Sequence, residues 1–424
     1  MSCTAIVGIN WGDEGKGRMV DLLTESFDVV VRFQGGTNAG HKVINEGGCF
    51  TLHLLPSGVC RKGVMNVLGN GVALDPEKLV EEIEDLQSKG IQISPDNLMI
   101  SERASLLLPW HRELDALEEA RLKDMKFGST KRGIAPFYSD KHQKKTVMAG
   151  ELFYPDVIKK HLEALREWKN LILSVYGAEP VTEEEIDAWL NDSCEKIKPY
   201  IRDTRNYLRE AQEDDKRILF EAQLGALRDL DYGTYPYTTS SNVLAAYAPI
   251  GSGLPGAQID HIIGVVKAYS SCLGEGPFVC EMKGKEADRL RELGGEFSEK
   301  DGHPYRVGPI DLVAVKYGVQ VQTATEIALT KLDILGALDQ IPVCVKYRLD
   351  GQEIDEFPFP AALPKCEPVI EYMPGWKCDI SDVRNWWDLP EEAKDYVNRI
   401  ERSVGRVVRW ISVGPERHSI IRRG

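Results

Sequence analysis

Residues 8–21 read GINWGDEGKGRMVD, a glycine-rich turn with one lysine, set between the apolar run AIVGI and the amphipathic run MVDLLTE. The first run suits a buried strand and the second a helix, so the turn lies where a strand hands over to a helix. Backbone N–H groups, a helix N-terminus and a lysine together make a phosphate cradle. The pattern departs from a standard P-loop: Asn10 stands five positions before Gly15, and Lys16 is followed by Gly17 in place of Ser or Thr. A tight turn that needs glycine for its backbone alone would read the same way. Asp13 adds a carboxylate suited to Mg2+ or to general-base work.

Outward from this turn the pattern repeats. DVVVRF and VMNVLGNG are short apolar runs, and PEKLVEEIEDLQSKG after them predicts a surface helix, with Pro76 in its first turn, Leu79, Ile83 and Leu86 on one face and Gly90 closing it. Such alternation predicts an α/β fold with a mostly parallel central sheet, flanking helices and a P-loop-like nucleotide-binding architecture. The 424 residues read as one large α/β domain, 1–424, with small β/α subregions. Residues 151–219 are charged and helix-rich and read as a helical subdomain inserted into it, with Trp168, Trp189 and Tyr200 as packing anchors. VCVKYRL before DGQE predicts a strand and a hairpin turn, Pro390–Gly405 a helix, and VVRWIS a last buried strand.

Composition narrows the function. Lys and Arg total 52 against 66 Asp and Glu, a net charge of -14, which speaks against nucleic acid or a membrane surface as a partner. The opening MSCTAIVGIN has no basic, apolar leader, and no run approaches the roughly 18 apolar residues of a membrane span, so a cytoplasmic protein is expected. The nine cysteines show no CxxC or histidine-linked spacing and read as reduced thiols.

RFQGGTNAGHK, residues 32–42, is a second glycine-framed loop after a predicted strand, carrying Asn38 and His41. A lone histidine is usually a packed or solvated side chain, but open α/β sheets bind ligands beyond the carboxyl ends of their strands. With WGDEGKG and QGGTNAGH come LHLLPSG, GNGVALD, FGSTKRGIAPFYSDK, DYGTYPYTTSSN, VVKAYSS, TKLD, MPGW and SVGPER, in that order. From about residue 4 to about residue 420 the chain resembles the adenylosuccinate synthetase family.

The resemblance implies a ligase that uses GTP to phosphorylate the 6-oxygen of IMP and lets the amine of L-aspartate displace the phosphate, in the first step from IMP to AMP. Asp13 is then the expected base on N1 of IMP, His41 a proton donor and Lys16 a phosphate-neutralising cation, with one Mg2+ per subunit on Asp13 and the carbonyl of Gly40. GTP would lie against Gly12, Glu14, Gly15, Lys16, Gly17 and Arg18, and against Gly40, His41, Lys42 and Arg306. Its guanine would face Lys331, Leu332 and Asp333, whose carboxylate can accept from two adjacent N–H groups, with Ser412, Val413 and Gly414 opposite. IMP would meet Asp13, Asn38, Ala39, Thr130, Gln223 and Thr239, and Lys144 from the other subunit of a homodimer.

Four stretches depart from the family pattern. Lys144 replaces an arginine and loses its bidentate fork. EAQLG replaces EGAQG, which puts Leu224 in the glutamine's register beside Gln223. Cys272 replaces an arginine. The largest change is EFSEKDGHPYRVGP, residues 296–309, where the family reads EFGATTGRPRRxGW: Lys300 and Asp301 stand for threonines, His303 and Tyr305 for arginines, and Gly302, Pro304 and Arg306 keep their types. This is the expected amino-acid-binding loop. Hydrogen bonds to charged groups contribute about 1.5–3 kcal/mol each, so the two missing arginines weaken an aspartate site by about two to four powers of ten unless compensated. Three outcomes stay open: Lys300, His303 and Arg306 rebuild the site; a different, neutral or cationic amine replaces aspartate; or the second step is lost. A GTP-binding module without ligation is the reading from another class, which the retained Asn38, Thr130 and Thr239 oppose.

Overall fold

The computed structural model describes residues 3–45, 48–298 and 302–423. Lys300 and Asp301 of the altered loop lie outside them. The spine is a ten-stranded sheet. In chain order its strands are β1 (Cys3–Gly8), β2 (Val29–Arg32), β3 (Met65–Leu68), β4 (Leu98–Ser101), β5 (Ile201–Arg202), β6 (Ile218–Glu221), β7 (His261–Lys267), β8 (Glu326–Thr330), β9 (Val408–Ser412) and β10 (Ile420–Arg422). Across the sheet they run β10-β9-β8-β7-β1-β6-β2-β3-β4-β5. Neighbours are parallel except β9 and β10. The strand read from VVRWIS is therefore not the last: β10 folds back along it and closes that edge.

Strands β1, β2 and β6 are buried along their whole length, as strands covered by helices on both faces must be. Four apolar runs end in a polar residue at the carboxyl end: Arg32, Glu221, Lys267 and Thr330. Arg32 lies in register with Glu221, and Lys267 with Thr330. The sheet thus carries its polar groups to the rim where α/β proteins bind ligands.

Helix α1 (Lys16–Leu23) follows the first glycine-rich loop directly. Helix α2 (Pro76–Ser88) starts where Asp75 accepts from the Lys78 N–H at 3.2 Å, and Leu79, Ile83 and Leu86 are buried. From the same helix Glu82 accepts the N–H groups of His53, Leu54 and Leu55 at 3.0–3.1 Å, which fixes the LHLLPSG segment under the site. The hairpin turn falls at Asp350 and Gly351, both with positive φ, between Gln340–Leu349 and Gln352–Ile354. Helix Glu391–Val404 ends on left-handed Gly405.

Residues 151–219 contain the helices Pro155–Val175, Glu183–Trp189 and Thr204–Glu213, but also β5 and the first residues of β6. Ile158, Leu162, Leu173, Ile186 and Trp189 share one core with Leu79, Leu98 and Ile100 of the sheet region. This shared core supports the proposal that the chain is a single domain with a helical insertion. Trp189 is buried as expected, whereas Trp168 is 44% exposed, with the Lys145 ammonium 4.4 Å from its ring centre.

An orphaned buried N–H costs about 1–3 kcal/mol, so Glu82→Ala, which strands three of them, should lower stability by about 3 kcal/mol or more in urea unfolding. A loss under about 1 kcal/mol would show that water or a neighbour replaces the carboxylate.

Candidate functional site

The loop after β1 is shaped by its own glutamate. Gly12, Asp13 and Gly15 adopt positive φ, and the Glu14 carboxylate turns inward to accept the N–H of Asn10 at 3.1 Å and of Gly12 at 2.9 Å. Lys16 pairs with the same carboxylate at 2.6 Å, both side chains buried. Gly8 and Gly225 make room: a Cβ at Gly8 would lie 2.6 Å from a Glu14 oxygen, and one at Gly225 2.5 Å from the other. Thr330 at the end of β8 donates to the Glu14 carbonyl at 2.7 Å and locks the loop to the TKLD strand. Gly17 serves packing more than phosphate, since a Cβ there would meet His41 Cβ at 2.6 Å.

His41 opens a short strand, His41–Asn45, that lies over α1. Its Nδ1 contacts the Glu221 carboxylate, which also accepts the Ser57 N–H at 2.8 Å, the Ser57 hydroxyl at 2.7 Å and an Arg32 N–H at 3.3 Å. Burial alone would raise the Glu221 carboxyl, but Arg32, His41 and Ser57 bring it down to about 2. Glu221 is therefore a carboxylate and Nδ1 of His41 carries the proton. Burial and the nearby Arg32 push His41 down to about 4, against the pull of Glu221. Its Nε2 is buried and without a hydrogen-bond partner among the described residues, as are Asn38 Oδ1 and Thr37 Oγ1. Most buried polar atoms in folded proteins are hydrogen-bonded, so three such atoms in one loop leave donors and acceptors open to a further partner.

A cleft of about 800 Å3 brings together Asp13, Asn38, Ala39, Gly40, Thr130, Thr239 and Tyr305. Asn38 donates to Thr239 at 3.4 Å. Asp115 and Glu119 hold the FGSTKRG loop from behind: Glu119 accepts the N–H of Gly128 at 2.8 Å, and Asp115 the N–H of Gly133 at 2.8 Å. The Asp13 side chain is open to this cleft, yet the surrounding walls withdraw water and push its carboxyl above the usual range, with Lys267 and Lys16 opposing. Among the described residues no three His, Cys, Asp or Glu side chains gather as a ready-made metal cage. Mg2+ takes one or two carboxylates and fills its shell with water and phosphate oxygens, and Asp13 is one carboxylate open to the cleft.

The residues expected to face guanine form a second group. Leu332 N–H donates to the Ser412 carbonyl at 3.2 Å, so TKLD and SVGP lie side by side, and Arg18 reaches the Ser412 hydroxyl and the Ser419 carbonyl, the latter at 2.9 Å. Asp333 sits near Arg18, its carboxyl raised by burial. Lys331 does not lie along an open base site here: its ammonium bonds Glu296 at 2.7 Å and the Gly294 carbonyl at 2.6 Å. Glu296 also takes Lys267 at 2.8 Å and the Tyr269 hydroxyl at 2.5 Å. The root of the altered loop is thereby anchored to TKLD.

Several expected site residues stand elsewhere. Gln223 does not line the cleft: its amide is spent on the Gly36 N–H and carbonyl and the His53 carbonyl, at 2.8–3.2 Å, and Leu224 takes the cleft position with positive φ. The register shift that moved the glutamine turned it inward to hold the QGGTNAGH loop. Arg306 is tied to Glu281 at 2.7 Å and to the Gly276 carbonyl at 2.8 Å. Lys144 is an exposed left-handed C-cap of helix Ile134–Gln143, and Lys42 is exposed on its strand. Within the altered loop, Gly302 has positive φ and donates to Ser298 at 2.8 Å, His303 O accepts from Ser298 N–H at 2.9 Å, and Pro304 bridges Phe297. Val413 N–H pairs with Ser419 O at 2.9 Å. Sequence reading passed over Arg32, Glu221, Lys267 and Glu296; the signal was a charged residue ending an apolar run in the first three, and none marked Glu296.

The adenylosuccinate synthetase family model matches residues 5–421. The chain belongs to the adenylosuccinate synthetase family. An adenylosuccinate synthetase of Caldanaerobacter subterraneus subsp. tengcongensis is 45% identical over 423 residues, 99% of each chain. One of Halothermothrix orenii is 45% identical over 425 residues, covering 100% of this chain and 99% of its own. A solved structure described as fully ligated adenylosuccinate synthetase from Plasmodium falciparum superposes with a TM-score of 0.91 at 34% identity, over 99% of both chains. As a member of the adenylosuccinate synthetase family the chain is a GTP-dependent carbon–nitrogen ligase of AMP biosynthesis. No helix among the described residues is long and apolar enough to cross a membrane.

Because folded His41 protonates near 4 and an unfolded histidine near 6.5, the unfolded chain takes up a proton first as pH falls. Stability should therefore drop between pH 6.5 and 4, and less steeply in His41→Asn, as followed by thermal melts across that window. Equal slopes would contradict a buried neutral His41.

Proposed function

We propose that the family reaction runs on this chain through Asp13, His41 and Lys16, with L-aspartate as the amine donor. The observation that carries the reading is the convergence of Asp13, Asn38, Thr130 and Thr239 on one cleft, beside a buried His41 with a bare Nε2. IMP is a lactam at C6, so its oxygen becomes a nucleophile only as N1 loses its proton. Asp13 opens into the cleft with a raised carboxyl, which brings it nearer the proton affinity a base needs at neutral pH. The proton passes from N1 to Asp13, O6 attacks the γ-phosphorus of GTP, and the bond to the β-γ bridging oxygen breaks.

In the free protein Nε2 of His41 is an acceptor. A phosphate dianion beside it supplies the counter-charge the pocket lacks, and Glu221 on Nδ1 stabilises the imidazolium, so His41 gains a proton to donate as charge builds on the leaving oxygen. Lys16 must then trade its bond to Glu14 for one to phosphate. Asp13 and the Gly40 carbonyl would hold Mg2+, which would supply neutralisation of phosphate charge. In the second step the amine of aspartate attacks C6, phosphate leaves with the former O6, and the nitrogen sheds its extra proton.

Asp333 would accept guanine's paired N–H groups, with Ser412, Val413 and Gly414 opposite and Arg18 bracing the wall. Binding of the base would draw Lys331 from Glu296. Asn38, Ala39, Thr130 and Thr239 would hold IMP, Arg306 and the 300–306 loop the amino acid, and Lys144 the IMP of a second subunit in a homodimer. A cytoplasmic location fits GTP and IMP as substrates.

With GTP, Mg2+ and IMP, addition of aspartate should yield GDP, phosphate and a succinyl adduct, and Asp13→Asn should lose about 100-fold or more in rate. Turnover that ignores aspartate yet responds to a neutral or cationic amine would establish the alternative donor. No response to IMP would leave only a GTP-binding module.

A further inference from the structure

Arg228 is a cation the family resemblance does not use. It is 8% exposed and lines the cleft together with Tyr305, Leu273, Gly274, Tyr237 and Thr239. Its terminal N–H groups donate to the carbonyls of Tyr237 at 2.6 Å, Leu273 at 2.6 Å and Glu275 at 3.2 Å, and the fourth points at the Cys272 sulfur at 3.1 Å. Among the described residues no carboxylate pairs with it. Arg306, the retained arginine of the altered loop, crosses to the same turn: it is Cys272's partner across the two-stranded pairing and bonds the Gly276 carbonyl, but Glu281 neutralises it. Glu275, the other carboxylate on this turn, is exposed to solvent.

A buried guanidinium without a counter-anion is costly unless something anionic arrives. One of its four terminal N–H bonds is spent on a thiol, a weak acceptor, and exchange for a carboxylate oxygen makes a charge-assisted bond in its place. Cys272 stands where the family carries an arginine, and the arginines expected at His303 and Tyr305 are also absent. We propose that Arg228 binds a carboxylate of the amino-acid substrate, supplying from the segment after β6 the guanidinium missing at Cys272. This rests on aspartate being the amine donor. A dicarboxylic amino acid then needs fewer cations from the altered loop than the family pattern implies.

The test is steady-state kinetics of the full chain, with aspartate, IMP and GTP varied separately. Loss of a charged hydrogen bond corresponds to about 10- to 100-fold in affinity, so Arg228→Gln should raise KM for aspartate by about that factor, with KM for IMP and GTP close to wild type. Arg228→Lys, which keeps the charge and loses the fork, should fall between the two. An unchanged KM for aspartate overturns the proposal. So does a KM for IMP that rises in step with it, because Arg228 would then be only a clamp on the Tyr237 segment. If Arg228→Gln does not fold, the lysine variant carries the same comparison. A wild-type protein that makes no adduct with aspartate would sink the proposed donor itself, whatever the variants do.

Discussion

The Glu221 carboxylate ties the active rim together. It sits at the carboxyl end of β6, in register with Arg32 of β2, and receives donors from Arg32, Ser57 and His41 inside the protein. Removing one partner of such a buried charge network is expected to cost about 3–5 kcal/mol, because it strands the others. What the network secures is position: Arg32 also holds the His53 carbonyl at 2.8 Å, and Gln223, two residues beyond Glu221, holds the loop that carries Asn38 and Gly40. The imidazole is thereby fixed in one tautomer, with its second nitrogen buried and unpaired among the described residues.

The same economy of buried charge runs along the rest of the rim. Glu14 occupies the N–H groups of its own loop and pairs with Lys16 one to one. Glu296 is shared between Lys267 and Lys331. Each carboxylate keeps cations at the rim without leaving them unpaired in a region of low dielectric. TKLD and the root of the altered loop are linked through the Lys331–Glu296 pair.

The sheet was legible because its strands are short apolar runs punctuated by glycine, and α2 because proline, acidic first turn and closing glycine all agree. The turn at Asp350 and Gly351 announced itself through DG. What escaped was set by tertiary contact. Nothing local distinguishes the added strand β10 from a tail, or shows that Trp168 faces water while Trp189 is buried. Asp13, Asn38 and His41 were proposed from motif order, whereas Glu221 and Lys267 reach the rim through strand register, which a single sequence does not display. Gln223 was misplaced because a shift of one residue reverses the direction of a side chain, and the backbone resolves it only by giving Leu224 a positive φ.

The central claim is that this rim activates O6 of IMP by phosphoryl transfer and that an incoming amine then expels it. Heavy-oxygen label placed at O6 of IMP tests this directly in a single turnover with GTP, Mg2+ and aspartate. The account predicts that the label appears in inorganic phosphate and is absent from the nucleotide product. Label retained on the nucleotide, or released to water, would contradict it.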